Sequence, residues 1–499
     1  MTLNKLLTKI DYVDKHVAGD SELSGVTNDS RAVESGGVFV AVSGKNVDGR
    51  DFAPQAIGAG AALIVAEGRV DKSHADCSWI QVVDARAALS QISAEVYDRP
   101  SQKLAVVGIT GTNGKTTTAY LCRHLIASSL RSCGMIGTIE YDDGSGLTKA
   151  ERTTPEACDL QRMLAATVDN GCRATAIEVS SHALSLGRVR DVEFDVGVFT
   201  NLSPDHLDFH KTMDAYFEAK TLLGEQIATQ GGSKKPVMVI NVDDIYGQRY
   251  ARKIEGRVSV VTYGFSAKAQ FRALSVDLGI RGTSFKLAAK GREYLVRMPL
   301  IGRFNVYNAL AALAVADHLK LNFRSAVAAL AEAPQVPGRM QSVIEQRPYR
   351  AFVDYAHTPD ALENVLATLK TLKPSRIITV FGCGGDRDKA KRPLMGRAAS
   401  QLSDVCILTS DNPRSEDPEA ILADVERGMQ GRYRKIVDRR EAIKLAIAAA
   451  GPDEVVLIAG KGHEDYQEIN GERFPFSDRV EVLAADRLRD ISVPSKELS

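Results

Sequence analysis

The 499-residue sequence predicts an α/β protein in three parts: a smaller N-terminal α/β part, a central part on a parallel sheet and a C-terminal part on a doubly wound one. Three observations carry the prediction. Short, β-branched apolar runs alternate with helical stretches, the pattern of buried strands joined by crossover helices. One run, at 104–109, leads into the glycine-rich loop Gly111-Thr112-Asn113-Gly114-Lys115-Thr116-Thr117. Hydroxyl, carboxylate, imidazole and guanidinium groups recur where the later runs end, at the edge where a parallel sheet opens its ligand crevice. Turn-like stretches at 98–101 and 333–340 place the boundaries, giving parts at 1–99, 100–336 and 337–499.

Composition narrows the class. Lys and Arg number 63 against 63 Asp and Glu, so no imbalance points to nucleic acid or a membrane surface. No apolar run reaches the ~18 residues of a transmembrane helix, and residues 1–5 lack a signal-peptide core. The seven cysteines, at 77, 122, 133, 158, 172, 383 and 406, contain no C-x-x-C pair, so neither a zinc site nor a disulfide framework is indicated. The expectation is a soluble cytoplasmic protein.

In the first part, 37–42 and 62–65 read as strands around a short helix at 51–57. Two polar stretches, 27–31 and 43–50, read either as ordinary surface loops or as ligand-binding ones.

The central part opens on the glycine loop. Its glycines let backbone N–H groups approach an anion, and the helix start behind it adds donors and a favourable dipole. Lys115 is placed to reach β- and γ-phosphates, and the Thr116 hydroxyl to ligate Mg²⁺. A strict G-x-x-x-x-G-K-S/T pattern wants glycine where this chain has Ile109. Strand, loop and helix still describe a nucleoside-triphosphate site on a P-loop ATPase-like parallel sheet. The run at 175–182 ends in Glu178, Ser180, Ser181 and His182, and that at 196–208 in Asn201, Asp205, His206 and Asp208. Both belong beside the phosphate loop, where Glu178 and His206 either hold metal ions or merely cap strand ends. Lys220 lies in a helical stretch, 216–223, and by position alone is a solvated surface lysine. Residues 268–300 alternate polar and apolar, which suggests an antiparallel annex, and 303–318 reads as an alanine-rich helix.

The last part repeats one logic four times. Runs at 351–353, 377–381, 405–409 and 455–459 end in Asp354 to Pro359, Gly382 to Asp388, Ser410 to Arg414 and Gly460 to Glu464. Helical stretches between them complete a Rossmann-like, doubly wound sheet with one ligand pocket facing the central nucleotide site.

On these motifs the chain resembles the Mur ligase family over nearly its whole length: T-G-T-N-G-K-T at 110–116, E-V-S-S-H at 178–182, N-L-S-P-D-H-L-D at 201–208, D-Y-A-H-T-P at 354–359 and D-N-P-R at 411–414. The family's loop is built on T-G-T-N-G-K, so Ile109 is no defect. The resemblance is closest to the diaminopimelate-adding branch. It implies an ATP-dependent, Mg²⁺-requiring ligase of peptidoglycan precursor synthesis, a monomer acting on small molecules, without nucleic-acid or membrane partners. Its substrates are ATP, UDP-N-acetylmuramoyl-L-alanyl-D-glutamate and meso-diaminopimelate.

Residue by residue, the resemblance implies that Asn28, Ser30, Lys45, Asn46, Val47, Asp48, Gly49 and Arg50 hold the uridine nucleotide, and Thr153, Thr154, Ser180 and Arg188 the muramoyl-peptide end. Gly111 to Thr117, Asn305, Arg339 and Asp354 would hold ATP, and Thr116, Glu178, His206 and a carbamylated Lys220 the metal. Arg387, Asp411, Asn412, Pro413, Arg414, Gly460 and Glu464 would form the amino-acid pocket. Catalysis would rest on Lys115, Glu178, His206 and Lys220. The D-glutamyl carboxylate would attack the γ-phosphate, and a diaminopimelate amine would then attack the acyl phosphate, with His206, Asp208 and His357 open as candidate bases. The alternatives are a lysine-adding ligase, a folylpolyglutamate synthase and a non-catalytic nucleotide-dependent scaffold.

Overall fold

The computed structural model describes residues 1–44, 47–68, 77–130, 132–232 and 234–489. Its backbone packs as two compact units: Met1–Leu274 with Leu287–Tyr294 and Tyr307–Leu330, and Ser275–Lys286 with Leu295–Val306 and Ala331–Ser499.

The first unit begins with a five-stranded sheet, ordered Asp14–His16, Ser78–Val82, Leu63–Glu67, Val38–Ala41, Val26–Thr27, antiparallel only at its first pairing. Val38–Ala41 shows why its sequence reads as an unbroken apolar run. Val38 and Val40 enter one core and Phe39 and Ala41 the other, so both faces are covered.

The larger sheet has a parallel centre in the order Gly134–Ile136, Ala174–Glu178, Ala105–Thr110, Val196–Phe199, Val237–Asn241, Ser259–Gly264. Ala105–Thr110 is flanked on both sides, with Glu178 in register with Ile109 and Phe199 with Thr110. The chain leaving either neighbour therefore emerges beside Gly111. Beyond Ser259–Gly264 the sheet continues through Phe271–Gly279, which joins it in parallel rather than by the antiparallel pairing expected of 268–300, and on through Gly282–Ala289 and Arg292–Met298.

The second unit holds a six-stranded sheet in the order Gln341–Ile344, Arg350–Asp354, Val455–Ala459, Ile377–Phe381, Val405–Leu408, Tyr433–Lys435, parallel except at its first pairing. Helices Pro359–Thr371 and Lys391–Leu402 supply Leu362, Leu366 and Met395 to one core. Arg439–Ala449 and Asp478–Arg489 supply Ile443, Ile447 and Val482 to the other, which makes the sheet doubly wound as expected. Where these last two helices start, Arg439 and Asp478 form a bidentate pair, 2.7 Å at both contacts, with neither side chain exposed. All seven cysteines are buried and unpaired. Among the described residues, no helix is long and apolar enough to cross a membrane.

Candidate active site

The glycine loop joins Ala105–Thr110 to the helix Lys115–Leu130. Gly111 sits at φ +142° and Gly114 at φ +85°; a Cβ would stand 1.9 Å from Thr200 Oγ1 at the first and 2.5 Å from Asn308 Oδ1 at the second. No side chain fits at either position. The segment after Val196–Phe199 clamps the loop. Asn201 pairs its amide with both backbone groups of Asn113 (3.0 and 3.1 Å), and Asn201 O accepts from Thr112 N at 2.9 Å. Thr112 Oγ1 donates to Ser203 O at 3.2 Å and accepts from Ser203 N at 3.1 Å. Lys115 Nζ donates to Gly111 O (3.0 Å) and Thr112 O (2.8 Å), placing its charge within the loop's own turn.

Across the loop, buried Thr116 donates to Glu178 Oε2 at 3.0 Å. Glu178 also accepts from Thr138 N (2.8 Å) and Thr138 Oγ1 (3.0 Å). A hydroxyl and a carboxylate side by side suit a hard divalent cation. Thr138 belongs to no motif in the sequence, and only the fold exposes its place here. Its hydroxyl meets Thr153 Oγ1 at 3.1 Å, while Thr154 Oγ1 donates to Glu178 O (2.7 Å) and accepts from Ser180 N (3.1 Å). Arg188 reaches Thr154 O at 3.1 Å and Glu156 at 2.6 Å. The four residues expected at the muramoyl-peptide end thus form one network behind Glu178.

Lys220 corrects the positional expectation of a surface lysine. It is 1 % exposed, because it lies on the stripe of Met213–Thr229 that also buries Phe217, Leu223 and Ile227. That spacing was the available signal. Its Nζ donates to Gly111 O at 2.8 Å, the same carbonyl that Lys115 uses, and stands 4.6 Å from the Tyr216 ring centre. Burial first, then the Lys115 charge, push its pKa well below the ordinary lysine value, with Asp205 opposing. His206 opens the short helix Leu207–His210 with a left-handed backbone, φ +52°, and its ring meets His182 edge-on at 5.0 Å. Desolvation lowers its pKa against the opposing pull of Asp205. Asp208 is exposed. Among the described residues, no group of three His, Cys, Asp or Glu side chains is assembled for a metal. The oxygen donors Thr116 and Glu178 fit an ion that completes its shell from water and phosphate.

A cleft of about 990 Å³ is lined by Asn28, Ser30, Val47, Gly49, Lys149 and Arg152 among others. Asp48 and Arg50 pair with each other at 2.6 Å. Lys45 and Asn46 lie outside the described residues.

In the second unit, Gly385 and Pro413 O approach so closely that a Cβ would stand at 1.9 Å, which brings the 382–388 and 411–414 loops together. Asn412 is the centre. Its Oδ1 accepts from Lys461 Nζ (2.8 Å) and Glu468 N (3.0 Å), and its Nδ2 donates to Glu464 Oε2 (2.8 Å). Lys461 also reaches Glu464 Oε2 at 3.0 Å and is fully buried. It was missed as a site residue, although it stands between Gly460 and Glu464. Burial alone would raise the Asp411 pKa; Lys461 and Arg439 more than offset that and hold it below the ordinary value. Gly460 has room for no Cβ beside Asp411 Oδ2, at 2.6 Å. Arg414 Nη1 donates to Gly385 O at 2.6 Å, and Arg387 Nη1 to Asp386 O at 3.1 Å. Elsewhere in this unit the Arg339 guanidinium stacks on Tyr355 at 4.6 Å, and Asn305 Nδ2 donates to Ile301 O at 2.8 Å. Asp354 accepts from Met340 N (2.6 Å) and Ala356 N (2.7 Å).

Three family models match: "Mur ligase family, catalytic domain" at residues 22–97, "Mur ligase middle domain" at 109–316 and "Mur ligase, glutamate ligase domain" at 338–462. A UDP-N-acetylmuramoyl-L-alanyl-D-glutamate–2,6-diaminopimelate ligase of Geobacter sulfurreducens is 43% identical, with 98% of this chain and 99% of the relative covered. A Bacillus velezensis relative of the same name is 44% identical over 96% of this chain and 97% of its own. A solved structure, also described as a UDP-N-acetylmuramoyl-L-alanyl-D-glutamate–2,6-diaminopimelate ligase, superposes with a TM-score of 0.71 at 35% identity, covering 98% and 99% of the two chains.

Proposed function

The chain belongs to the Mur ligase family of ATP-dependent ligases, and on that premise we propose that it joins meso-diaminopimelate to the D-glutamate side-chain carboxylate of UDP-N-acetylmuramoyl-L-alanyl-D-glutamate. The observation that carries this reading is the convergence of Lys115 and Lys220 on Gly111 O beside the Thr116–Glu178 pair. The Lys115 cation, the buried Lys220 amine and an oxygen pair suited to a metal ion meet there, at the loop proposed to cradle the phosphates.

Two anions must come together in the first step, the glutamyl carboxylate and the γ-phosphate. Lys115 and the N-terminus of Lys115–Leu130 supply compensating charge that grows in importance as the phosphoryl group transfers. Attack by the carboxylate on the γ-phosphorus breaks the β–γ phosphoanhydride bond and releases ADP; a neutral amine then attacks the acyl phosphate, loses a proton, and the tetrahedral adduct expels phosphate to leave the amide. Mg²⁺ held by Thr116, Glu178, His206 and modified Lys220 would neutralise the triphosphate. The buried amine of Lys220, favoured neutral, can add CO₂ and release a proton to become an anionic oxygen donor. The 990 Å³ cleft, lined by Asn28, Ser30, Val47, Gly49 and Glu156 among others, takes the nucleotide, and Thr153, Thr154, Ser180 and Arg188, the last of which pairs with Glu156, take the muramoyl-peptide end. Arg387, Asp411, Asn412, Pro413, Arg414, Gly460 and Glu464 take the amino acid, and Asn305, Arg339 and Asp354 contribute to ATP. The parts 1–99, 100–336 and 337–499 then divide the work as nucleotide-sugar, ATP and amino-acid domains, in a cytoplasmic monomer.

A coupled ADP-release assay tests this directly. ADP should form only with the muramoyl dipeptide, and the muramoyl tripeptide chiefly with diaminopimelate, lysine serving poorly. Equal turnover with lysine, or none with the muramoyl dipeptide, overturns the assignment.

A further inference from the structure

The hairpin Tyr466–Ile469 and Glu472–Pro475 is stitched onto the 411–414 loop. Gln467 Nε2 donates to Asp411 O (2.7 Å), Arg414 N to Glu468 O (2.9 Å), and Asn470 N to Arg414 O (2.7 Å). These bonds hold Arg414 at φ +54°, a left-handed backbone that a non-glycine residue keeps only when its surroundings impose it. The same clamp fixes the Arg414 guanidinium beside an acid, with Nε 3.7 Å from Glu468 Oε2 and both side chains about four-fifths buried, at 19% and 23% exposure.

Charges of alternating sign therefore surround one amide. Asn412 bonds to Glu464, which Lys461 partly neutralises, and to the backbone of Glu468, whose carboxylate faces Arg414. A ligand end bearing only a carboxylate would gain Arg414 but meet the negative field of Glu468. One bearing only an ammonium would gain the carboxylates but meet Arg414. An end carrying both groups on one carbon satisfies both.

We propose that Glu468 is a positioning and specificity residue, acting through Arg414, that tunes the amino-acid pocket for a zwitterionic far end rather than a bare carboxylate or a bare ammonium. This deepens the amino-acid assignment made above and rests on it.

The test compares wild type with Glu468→Gln on three acceptors: diaminopimelate, lysine, and 2-aminopimelate, which has the far carboxylate without the far amine. Glutamine keeps the length and removes the charge. kcat/KM for 2-aminopimelate should rise about two- to fivefold and that for lysine should fall by a similar factor, the scale of a partly exposed charge pair. Diaminopimelate should change less than about twofold, since its two far groups feel opposite effects, and the ATP KM should stay fixed. Opposite signs distinguish a charge effect from a loosened fold, which lowers all three together. A common shift in all three acceptors, or unchanged ratios, overturns the role of Glu468 while leaving diaminopimelate ligation by the wild type intact. A wild type that ligates none of the three overturns the amino-acid assignment itself, and this inference with it.

Discussion

In the phosphate loop, backbone does the holding. Gly111 and Gly114 sit where a single Cβ would collide, and Asn201 grips the main chain of Asn113 from the neighbouring strand end. In the pocket proposed for the amino acid, side chains do it. Lys461, Asn412, Glu464 and Asp411 form a buried charged network with the Arg439–Asp478 pair behind it. The two regions should therefore fail differently. The loop should lose chemistry when a cation is removed and keep its shape, whereas the pocket should lose both affinity and packing when one member of its network goes.

The largest expected effect tests the first half of that contrast. Lys115→Ala should lower kcat by about a thousandfold or more, with the far-ultraviolet circular dichroism unchanged. Near wild-type ligation by this variant would remove the phosphate loop from the mechanism. Lys220→Ala and Lys220→Arg should both be close to inactive, because neither carries an amine able to become a carbamate. A short-chain carboxylic acid in the assay should restore part of the alanine variant and none of the arginine one. The unmodified amine also has a thermodynamic signature. Its pKa lies well below 10.5 in the folded chain, so between those values the unfolded chain binds a proton that the folded one lacks. Stability in CO₂-free buffer should consequently rise with pH across that window, and Lys220→Met should flatten the rise.

Arg414 sharpens the contrast on the other side. In the proposed assignment its fork takes the far carboxylate of diaminopimelate, and losing a desolvated bidentate pair costs about 2–5 kcal/mol. Arg414→Ala should lower kcat/KM for diaminopimelate roughly 30- to several-thousand-fold while leaving the ATP KM in place. Lysine should remain a poor substrate, since no anion is gained for its ammonium. A smaller effect comes from Lys461→Met, which removes the countercharge of Glu464 and one of the two donors to Asn412 Oδ1. The KM for diaminopimelate should rise about tenfold and Tm should fall, for a loss of about 2 kcal/mol. Adding Glu464→Gln should recover part of the Tm, since the uncompensated charge is then gone. A single variant with unchanged Tm would show that the pocket is held by its backbone after all, like the loop.

What the sequence revealed and what it hid follow the same division. The sheets were legible because buried parallel strands are continuous apolar runs, and the loop because its glycines and lysine are contiguous. Lys220 and Lys461 were not. Each looks like a solvated lysine until its partner is known, and those partners lie 109 residues away at Gly111 O and 49 away at Asn412 Oδ1. Thr138 was hidden for the same reason: its bond to Glu178 spans 40 residues and leaves no local pattern. Cations read as exposed by default are better judged by the stripe they occupy, as Lys220 shows beside Phe217 and Leu223.

The seven buried thiols have a use that catalysis does not touch. Burial pushes Cys122, Cys158, Cys383 and Cys406 up to about 12, so in the closed state they are both unreachable and protonated. A thiol reagent can then modify each one only during an opening of its own surroundings, which turns the cysteines into internal clocks. Five tick in the first unit and two, Cys383 and Cys406, in the second. Peptide-resolved labelling over time, with and without nucleotide, would report the opening free energy of each unit separately in the unmutated protein.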